Sequence, residues 1–254
     1  MSSIMNEKRL NILIKNYLTT RKEGQEIKYD IRPVIEDDEP NYEKYIIKLN
    51  CYDGIYKNQI HYLEVKTTYG STNEIYKYPN NPPFIKFLTK IFHVNINNSG
   101  LICLDILNDK TKWSVAYKFS QIILSIKLLL DEPNTNSPFN CDASNLWKYC
   151  VSENKQNNNL TNLTNLDDSM NRFQTFIDKA NEIYKTNSDI INKYEKLFIN
   201  DDEEEFNNMF NKLCIKNTIQ TNLSQTNLSQ TNMDQTNLSQ NTKINKFDKF
   251  KKHN

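Results

Sequence analysis

Cys103 is the residue of this chain best suited to covalent chemistry. It lies in an apolar run, I-F-H-V-N-I-N-N-S-G-L-I-C-L-D-I-L, that spans residues 91–107. A cysteine flanked by Ile102 and Leu104 is, taken alone, most often a small buried hydrophobic residue. Its neighbours along the chain favour a different interpretation.

His93 and Asn95 precede this cysteine across the turn-forming sequence Asn97-Asn98-Ser99-Gly100. A turn there folds the segment back on itself, and an Asn side chain can then come near the sulfur. A thiol that forms an acyl intermediate needs a donor of this kind for the negative charge that develops on the carbonyl oxygen. The spacing therefore indicates a thiol nucleophile beside an amide donor.

The residues before this segment predict a helix followed by antiparallel strands. Apolar positions at helical spacing predict an amphipathic N-terminal helix that stops at Gly24; these positions are Leu10, Leu13, Ile14, Tyr17 and Leu18. Runs rich in Ile, Tyr and Val predict three strands at residues 27–34, 42–50 and 60–66, and a short fourth strand at 84–88 follows a proline-rich entry. Residues 89–115 lack a sustained period, so we expect a long folded loop, which is more often functional than filler.

The remainder of the chain reads as helices and a polar tail. An almost wholly apolar run predicts a buried helix at residues 119–130, and Asp142 is the expected N-cap of a further helix that carries Cys150 into the core. The predicted organisation is a core domain at 1–152, an Asn-rich flexible insertion at 153–168, a helical extension at 169–215 with its last helix near 206–213, and a disordered repeat tail with a basic end at 216–254. The fold class is α+β.

Composition excludes several classes of protein. The 32 basic and 31 acidic residues leave a net charge of +1, which gives no electrostatic footprint for nucleic acid or an anionic membrane. Five scattered cysteines and three histidines, with no Cys-x-x-Cys pair, argue against a disulfide scaffold or a zinc site. There is no signal-peptide pattern and no run long enough to span a membrane, so we expect a soluble protein of a reducing compartment, cytoplasmic, nuclear or both.

The sequence resembles the ubiquitin-conjugating enzymes over roughly residues 5–152. The residues that carry the resemblance are Tyr78-Pro79, Pro82-Pro83, Phe87, His93-x-Asn95, Gly100, Ile102-Cys103-Leu104, Trp113-Ser114 and the segment E-P-N-T-N-S-P-F-N-C-D-A-S at 132–144. The last segment is most similar to members with extended C-termini. The resemblance implies an N-terminal helix, a four-stranded antiparallel meander, an active-site loop, a central buried helix and C-terminal helices.

The resemblance also implies a role for each site residue. Cys103 would accept the C-terminal glycine of ubiquitin from the activating enzyme as a thioester and pass it to a lysine or to a ligase cysteine. Asn95 would donate to the oxyanion or hold the loop that does, His93 would be structural, and Ser137 would stand where many members have an Asp that orients the incoming amine. Asp105 follows the family's Cys-Leu-Asp pattern, and a carboxylate that merely fixes the loop is an equal interpretation. No metal or bound cofactor is needed, because ATP is consumed upstream by the activating enzyme.

Partner contacts are expected to involve Lys8, Arg9, Asn80, Trp113 and Val115. Asn80 replaces an aromatic or apolar residue and Val115 replaces a proline, so the type of ubiquitin ligase stays open. The expected partners are ubiquitin, the activating enzyme, a ligase and a lysine-bearing substrate protein.

Three alternatives remain open at this point. The chain could conjugate a ubiquitin-like modifier, or it could be a non-catalytic variant that binds ubiquitin, although such variants lack the cysteine. The third alternative is a Cys-His hydrolase, which would need a general base to deprotonate the thiol.

Overall fold

The computed structural model describes residues 7–68, 77–147 and 163–199, with the side chains of 163–169 left aside. Helix α1 spans Glu7–Ile27 and buries Leu13, Tyr17 and Leu18, the apolar stripe expected from the sequence. The predicted stop at Gly24 is wrong, because the helix continues for three more residues. A Cβ atom at Gly24 would lie 2.5 Å from the carbonyl oxygen of Tyr29, so this glycine permits a close approach of the first strand.

Four antiparallel strands follow in the order β1-β2-β3-β4, which confirms the predicted meander and the α+β class. They are β1 (Tyr29–Glu36), β2 (Glu39–Cys51), β3 (Gln59–Lys66) and β4 (Phe84–Phe87). Asp37 and Asp38 join β1 to β2 with positive φ angles of 54° and 61°, the backbone that a two-residue hairpin requires.

The core lies between this sheet and two helices. Helix α1 packs on β1, β2 and helix α3 (Phe119–Asp131), whose buried residues include Phe119, Ile122 and Ile126. The ring of Phe119 makes an edge contact with Tyr45 of β2, at 5.2 Å between centroids, and stacks on Tyr78 at 4.8 Å. The predicted central buried helix is therefore present.

The long segment between β4 and α3 is folded without regular secondary structure except for a short helix, α2 (Asp105–Asn108). After α3, a helix at residues 141–147, here α4, begins one residue before the predicted N-cap. The side chain of Asn140, and not that of Asp142, accepts the N–H of Ala143 at 3.1 Å, so Asn140 is the cap. Asp142 lies inside the first turn.

Two helices of the C-terminal extension, α5 (Leu163–Lys185) and α6 (Ser188–Ile199), belong to the same compact unit as the sheet. Helix α5 begins inside the segment predicted as a flexible insertion, so residues 163–168 are helical and do not belong to a flexible segment. Its buried Phe176 contacts Phe92 and Trp147, with ring centroids 5.0 and 5.4 Å apart. Cys150, the predicted helix near 206–213 and the predicted tail lie outside the described residues.

Candidate active site

A tight turn places Cys103 on the active-site loop. Asn97 Oδ1 accepts the N–H groups of Ser99 and Leu101, both at 2.9 Å, and Gly100 closes the turn with a φ of 81°. A Cβ atom at Gly100 would lie 2.0 Å from the carbonyl oxygen of Phe87, so no other residue fits there without displacing β4. The turn folds the chain back as the sequence predicts.

The folded-back chain brings the backbone of Cys103 against that of Asn95. The N–H of Cys103 donates to the carbonyl oxygen of Asn95 at 2.8 Å, and Asn108 on α2 donates to the carbonyl oxygen of Ile102 at 2.9 Å. Both polar groups of the peptide bond that joins Ile102 to Cys103 are thus hydrogen-bonded, which fixes the backbone immediately before the cysteine. It is a partly exposed free thiol.

The Sγ atom of Cys103 lies 3.6 Å from the Oγ atom of Ser137. Ser137 itself is exposed and belongs to the loop between α3 and α4. At Cys51, burial raises the pKa of the thiol to about 12 and so keeps that thiol protonated. The partial exposure of Cys103 gives a reaction partner access to its thiol.

Asn95 is fully buried and fixes the loop that carries Ser137. Its Nδ2 donates to the carbonyl oxygens of Asn134 at 2.7 Å and of Ser137 at 3.1 Å, and its Oδ1 accepts the N–H of Asn134 at 2.8 Å. Both amide protons therefore have partners in the loop. Of the two roles expected for this side chain, the geometry favours holding the loop over direct donation to an oxyanion.

His93 is a buried structural histidine. Its Nδ1 accepts the N–H of Asn95 at 3.0 Å, so its Nε2 carries the proton and donates to the carbonyl oxygen of Leu129 at 2.9 Å. Burial lowers the pKa of this imidazole to about 4, and the ring is neutral at pH 7. It joins the active-site loop to the end of α3.

Val94, between these two residues, supplies a second tie to the same region. Its carbonyl oxygen accepts the N–H groups of Phe139 and Asn140 at 2.9 and 3.0 Å, and its side chain is buried. The segment of His93 and Asn95 is therefore joined to the loop between α3 and α4 through Val94 as well as through Asn95.

Asp105 is the first residue of α2 and forms an exposed ion pair with Lys112. The hydrogen bond from Lys112 to this carboxylate raises the pKa of the lysine. This contact supports the loop-fixing interpretation of Asp105. An exposed pair of this kind contributes little to stability.

Three of the predicted partner-binding residues lie on two adjoining loops. Trp113 Nε1 donates to the carbonyl oxygen of Pro79 at 2.9 Å, and its ring packs 6.0 Å from that of Tyr78. Asn80 is exposed next to this contact, and Val115 is 63% exposed on the other loop. Trp113 therefore connects the two loops, while Asn80 and Val115 present side chains to solvent.

Arg9 does not have the placement expected of a partner contact. It is only 6% exposed, and it forms an ion pair with Glu43 and hydrogen bonds to Tyr78 O at 3.2 Å and to Thr67 Oγ1 at 2.9 Å. Its guanidinium thus joins α1 to the sheet and to the loop before β4, a structural role that the sequence did not predict. Lys8 is exposed on α1.

Asn134 and Asn108 are positioning residues that the sequence did not single out. Asn134 pairs through its backbone with the side chain of Asn95, and Asn108 fixes the residue before Cys103. Neither lies in a periodic pattern, and the contacts of Asn134 span 39 positions. Asn134 lies in the segment at 132–144 that carries the resemblance, but no role was expected for it, and no feature of the sequence pointed to Asn108.

Over the parts of the chain that the structure describes, no three His, Cys, Asp or Glu side chains are grouped so as to hold a metal ion. None of the described helices is both long and apolar enough to cross a lipid bilayer.

The chain is similar in sequence to known proteins over the segment that contains this loop. A family model described as ubiquitin-conjugating enzyme matches residues 19–163, more than half of the 254 residues. A protein named "Ubiquitin-conjugating enzyme E2 2" from Aspergillus fumigatus is 49% identical over 72 residues, which cover 28% of this chain and 46% of the relative. Its namesake from Neurospora crassa is 47% identical over 72 residues with the same coverage.

The chain thus spans about half the length of these relatives, 46% in both cases. A crystal structure assigned to a ubiquitin-conjugating enzyme of Plasmodium yoelii aligns with a TM-score of 0.51 and 27% identity, over 72% of this chain and 97% of that one. The matched segment includes the loop of Cys103, Asn95 and Ser137. This chain belongs to the ubiquitin-conjugating enzyme family.

Proposed function

We propose that the chain carries ubiquitin as a thioester on Cys103 and transfers it to a lysine. The thiolate of Cys103 attacks the thioester carbonyl that joins ubiquitin to the activating enzyme, and the cysteine of that enzyme leaves as a thiolate. A lysine amine then attacks the new thioester. The tetrahedral intermediate collapses with expulsion of the Cys103 thiolate, and the amine gives up a proton as the isopeptide bond forms.

The observation that carries this proposal is the partly exposed Cys103 Sγ, 3.6 Å from Ser137 Oγ, on a loop in which the peptide bond before the cysteine is hydrogen-bonded through both its N–H and its C=O. An acceptor must approach the thioester carbon from solvent, and a fixed loop keeps the carbonyl in one orientation. Ser137 offers a hydroxyl that accepts a hydrogen bond from an incoming amine. A hydroxyl carries no fixed charge, so desolvation of the amine contributes to its deprotonation.

The buried side chain of Asn95 supports the transfer step through the loop. Its three hydrogen bonds hold residues 134–137, and these residues place Ser137 beside the sulfur. The chemistry needs no bound metal or cofactor, since a thioester is already activated and ATP is used upstream.

We assign the contacts with the activating enzyme and the ligase to exposed residues. Lys8 on α1 contacts the activating enzyme. Asn80 and Val115 contact a ligase, and Trp113 joins the two loops on which they lie. Cytoplasm, nucleus or both would provide these partners.

A Cys-His hydrolase is disfavoured by the two histidines in the described part of the chain. His93 uses both ring nitrogens internally, and His61 does the same with Thr89 and Gln59, at 3.0 Å each. Burial lowers the pKa of His61 to about 3, so neither ring is placed to deprotonate an exposed thiol.

Incubation with activating enzyme, ubiquitin and ATP tests the proposal. We expect a ubiquitin adduct that a thiol reductant cleaves, and we expect Cys103→Ala to lose it while Cys141→Ala, at an exposed cysteine, retains it. An adduct that persists in Cys103→Ala contradicts the site assignment. Charging only by the activating enzyme of a ubiquitin-like modifier identifies that modifier as the cargo, and absence of charging with any modifier indicates a binding role.

A further inference from the structure

Asn187 lies in the short connection between α5 and α6, and its side chain is fully buried against the core. Its Oδ1 accepts the N–H of Lys90 at 2.7 Å, and its Nδ2 donates to the carbonyl oxygen of the same residue at 2.9 Å. One side chain therefore satisfies both backbone groups of one residue, as a neighbouring strand would.

Asn187 is also the residue that precedes the first turn of α6. Its carbonyl oxygen accepts the N–H of Ile191 at 2.9 Å, which places it at the N-cap of α6. An Asn at an N-cap ordinarily turns its side chain onto the first turn of its helix. Here the side-chain oxygen and nitrogen both bind Lys90 instead, 97 positions earlier in the chain.

Lys90 begins the stretch that carries His93 and Asn95. The backbone on either side of Lys90 is held by the core: Thr89 N donates to Tyr62 O at 3.4 Å, and Phe92 O accepts from Tyr56 Oη at 2.7 Å. The backbone of Lys90 is held by Asn187 of the C-terminal extension. The extension touches the stretch a second time at Phe92, whose ring packs on Phe176 of α5.

We propose that Asn187 is a positioning residue for the transfer step: by pairing with both backbone groups of Lys90, it fixes the segment that carries His93 and Asn95. This inference rests on the proposed function. The C-terminal extension then takes part in thioester chemistry without touching the thiol. Its contribution passes from Lys90 through Asn95 to the loop of Ser137.

The test uses the full chain with Asn187→Leu, which keeps nearly the same shape and removes both hydrogen bonds, and with Asn187→Ala as a second variant. The matched control is Asn181→Leu, because Asn181 also binds the core from α5, accepting from Gln59 Nε2 at 3.1 Å, but does not bind the active-site stretch. After charging and removal of the activating enzyme, the rate at which each thioester is lost to free lysine is measured.

Only folded, charged molecules enter this rate, so a loss of stability alone lowers the amount of thioester and leaves the rate per thioester unchanged. We expect both Asn187 variants to discharge at least about fivefold more slowly, since misplacement of a reacting group by about 1 Å costs up to about a hundredfold. Asn181→Leu should discharge at the wild-type rate. Wild-type rates in both Asn187 variants, or equal losses in the control, overturn the proposal.

Amide hydrogen exchange of residues 90–95 separates this proposal from the proposed function. Faster exchange there in Asn187→Leu, with exchange unchanged in Asn181→Leu, supports the anchoring even if the wild-type chain accepts no modifier. Failure of the wild-type chain to charge overturns the proposed function. Unchanged exchange at residues 90–95 overturns the anchoring by Asn187.

Discussion

Ser137 Oγ lies 3.6 Å from Cys103 Sγ, and the carbonyl oxygen of the same serine accepts a hydrogen bond from Asn95 at 3.1 Å. The side chain of Ser137 thus faces the sulfur of Cys103, while its main chain is fixed by the buried side-chain amide of Asn95. The two functions can be separated, because a substitution at Ser137 leaves its carbonyl in place and a substitution at Asn95 leaves the hydroxyl in place.

Ser137→Ala should slow discharge of the thioester onto free lysine by about two- to tenfold, because a neutral hydrogen bond contributes roughly 0.5–1.5 kcal/mol. Ser137→Asp should accelerate discharge relative to Ala, because a carboxylate attracts and orients the incoming amine. Single-turnover discharge of preformed thioester measures both effects. Ser99→Ala, on the turn before the cysteine, is the control, and equal rates in Ser137→Ala and wild type would remove Ser137 from the acceptor site.

Asn95→Ala should charge normally, discharge slowly and unfold more readily. Its removal leaves three part-buried groups without their partner, the N–H of Asn134 and the carbonyl oxygens of Asn134 and Ser137, and the loss of each hydrogen bond costs about 1 kcal/mol or more. We expect a loss of about 2–4 kcal/mol in the free energy of unfolding, measured with urea.

A normal discharge rate in folded Asn95→Ala would remove this residue from the mechanism. Unchanged stability would show that its hydrogen bonds to the loop are replaced by solvent.

The sequence could predict single elements but not the contacts between residues that lie in different elements. Runs rich in Ile, Tyr and Val sufficed for the first three strands and a continuous apolar run for α3, because both patterns reflect burial within one element. Gly24 was misread because the requirement for glycine comes from Tyr29, which approaches across a turn. Arg9 was misread because a charged residue near the N-terminus of a helix gives no local sign of being buried against Glu43.

At the candidate site, the sequence predicts which residues lie near one another in the same short segment, but it does not predict their contacts with distant residues. Cys103, Asn95 and the turn that joins them lie within one short segment, so spacing alone brought them together. The partners of Asn95 lie 39 and 42 positions away, and the pairing of Asn187 with Lys90 spans 97. Such contacts depend on how α3, α5 and α6 pack, which no local pattern records.

Acidification should destabilise the protein through its two buried histidines. The pKa of His93 falls to about 4 and that of His61 to about 3 on folding, because burial disfavours the charged ring. The folded state therefore holds both rings neutral, and this contribution is complete above the unfolded pKa of about 6.5 and is lost as pH falls below it. Each histidine should lower the free energy of unfolding by about 1.4 kcal/mol per pH unit in that range.

Urea unfolding at several pH values between 7 and 5 measures this slope. His93→Gln can still accept the Asn95 N–H and donate to Leu129 O but cannot be protonated, so it should remove about half of the histidine contribution. A slope in His93→Gln equal to that of wild type would show that His93 gains no proton on unfolding.

Lys8 and Arg9 are adjacent in sequence and should respond to substitution in opposite ways. Arg9→Ala removes the partner of the mostly buried Glu43 and the donors to Tyr78 O and Thr67 Oγ1, and breaking such a pair costs about 3–5 kcal/mol. We expect Arg9→Ala to lose roughly that much stability, while its folded fraction is charged with an unaltered KM for the activating enzyme. Lys8→Ala should keep its stability, because Lys8 is exposed, and should raise that KM.

Charging rates over a range of concentrations, alongside urea unfolding of each variant, decide between the two roles. Arg9→Lys is the more stringent variant, because a single ammonium group keeps the charge but cannot reproduce the fork that binds Glu43, Tyr78 and Thr67 together. A stable Arg9→Lys with a raised KM would restore Arg9 as a partner contact. A destabilised Arg9→Lys with a normal KM would establish that the guanidinium serves the join between α1 and the sheet, and that the surface offered to the activating enzyme begins at Lys8.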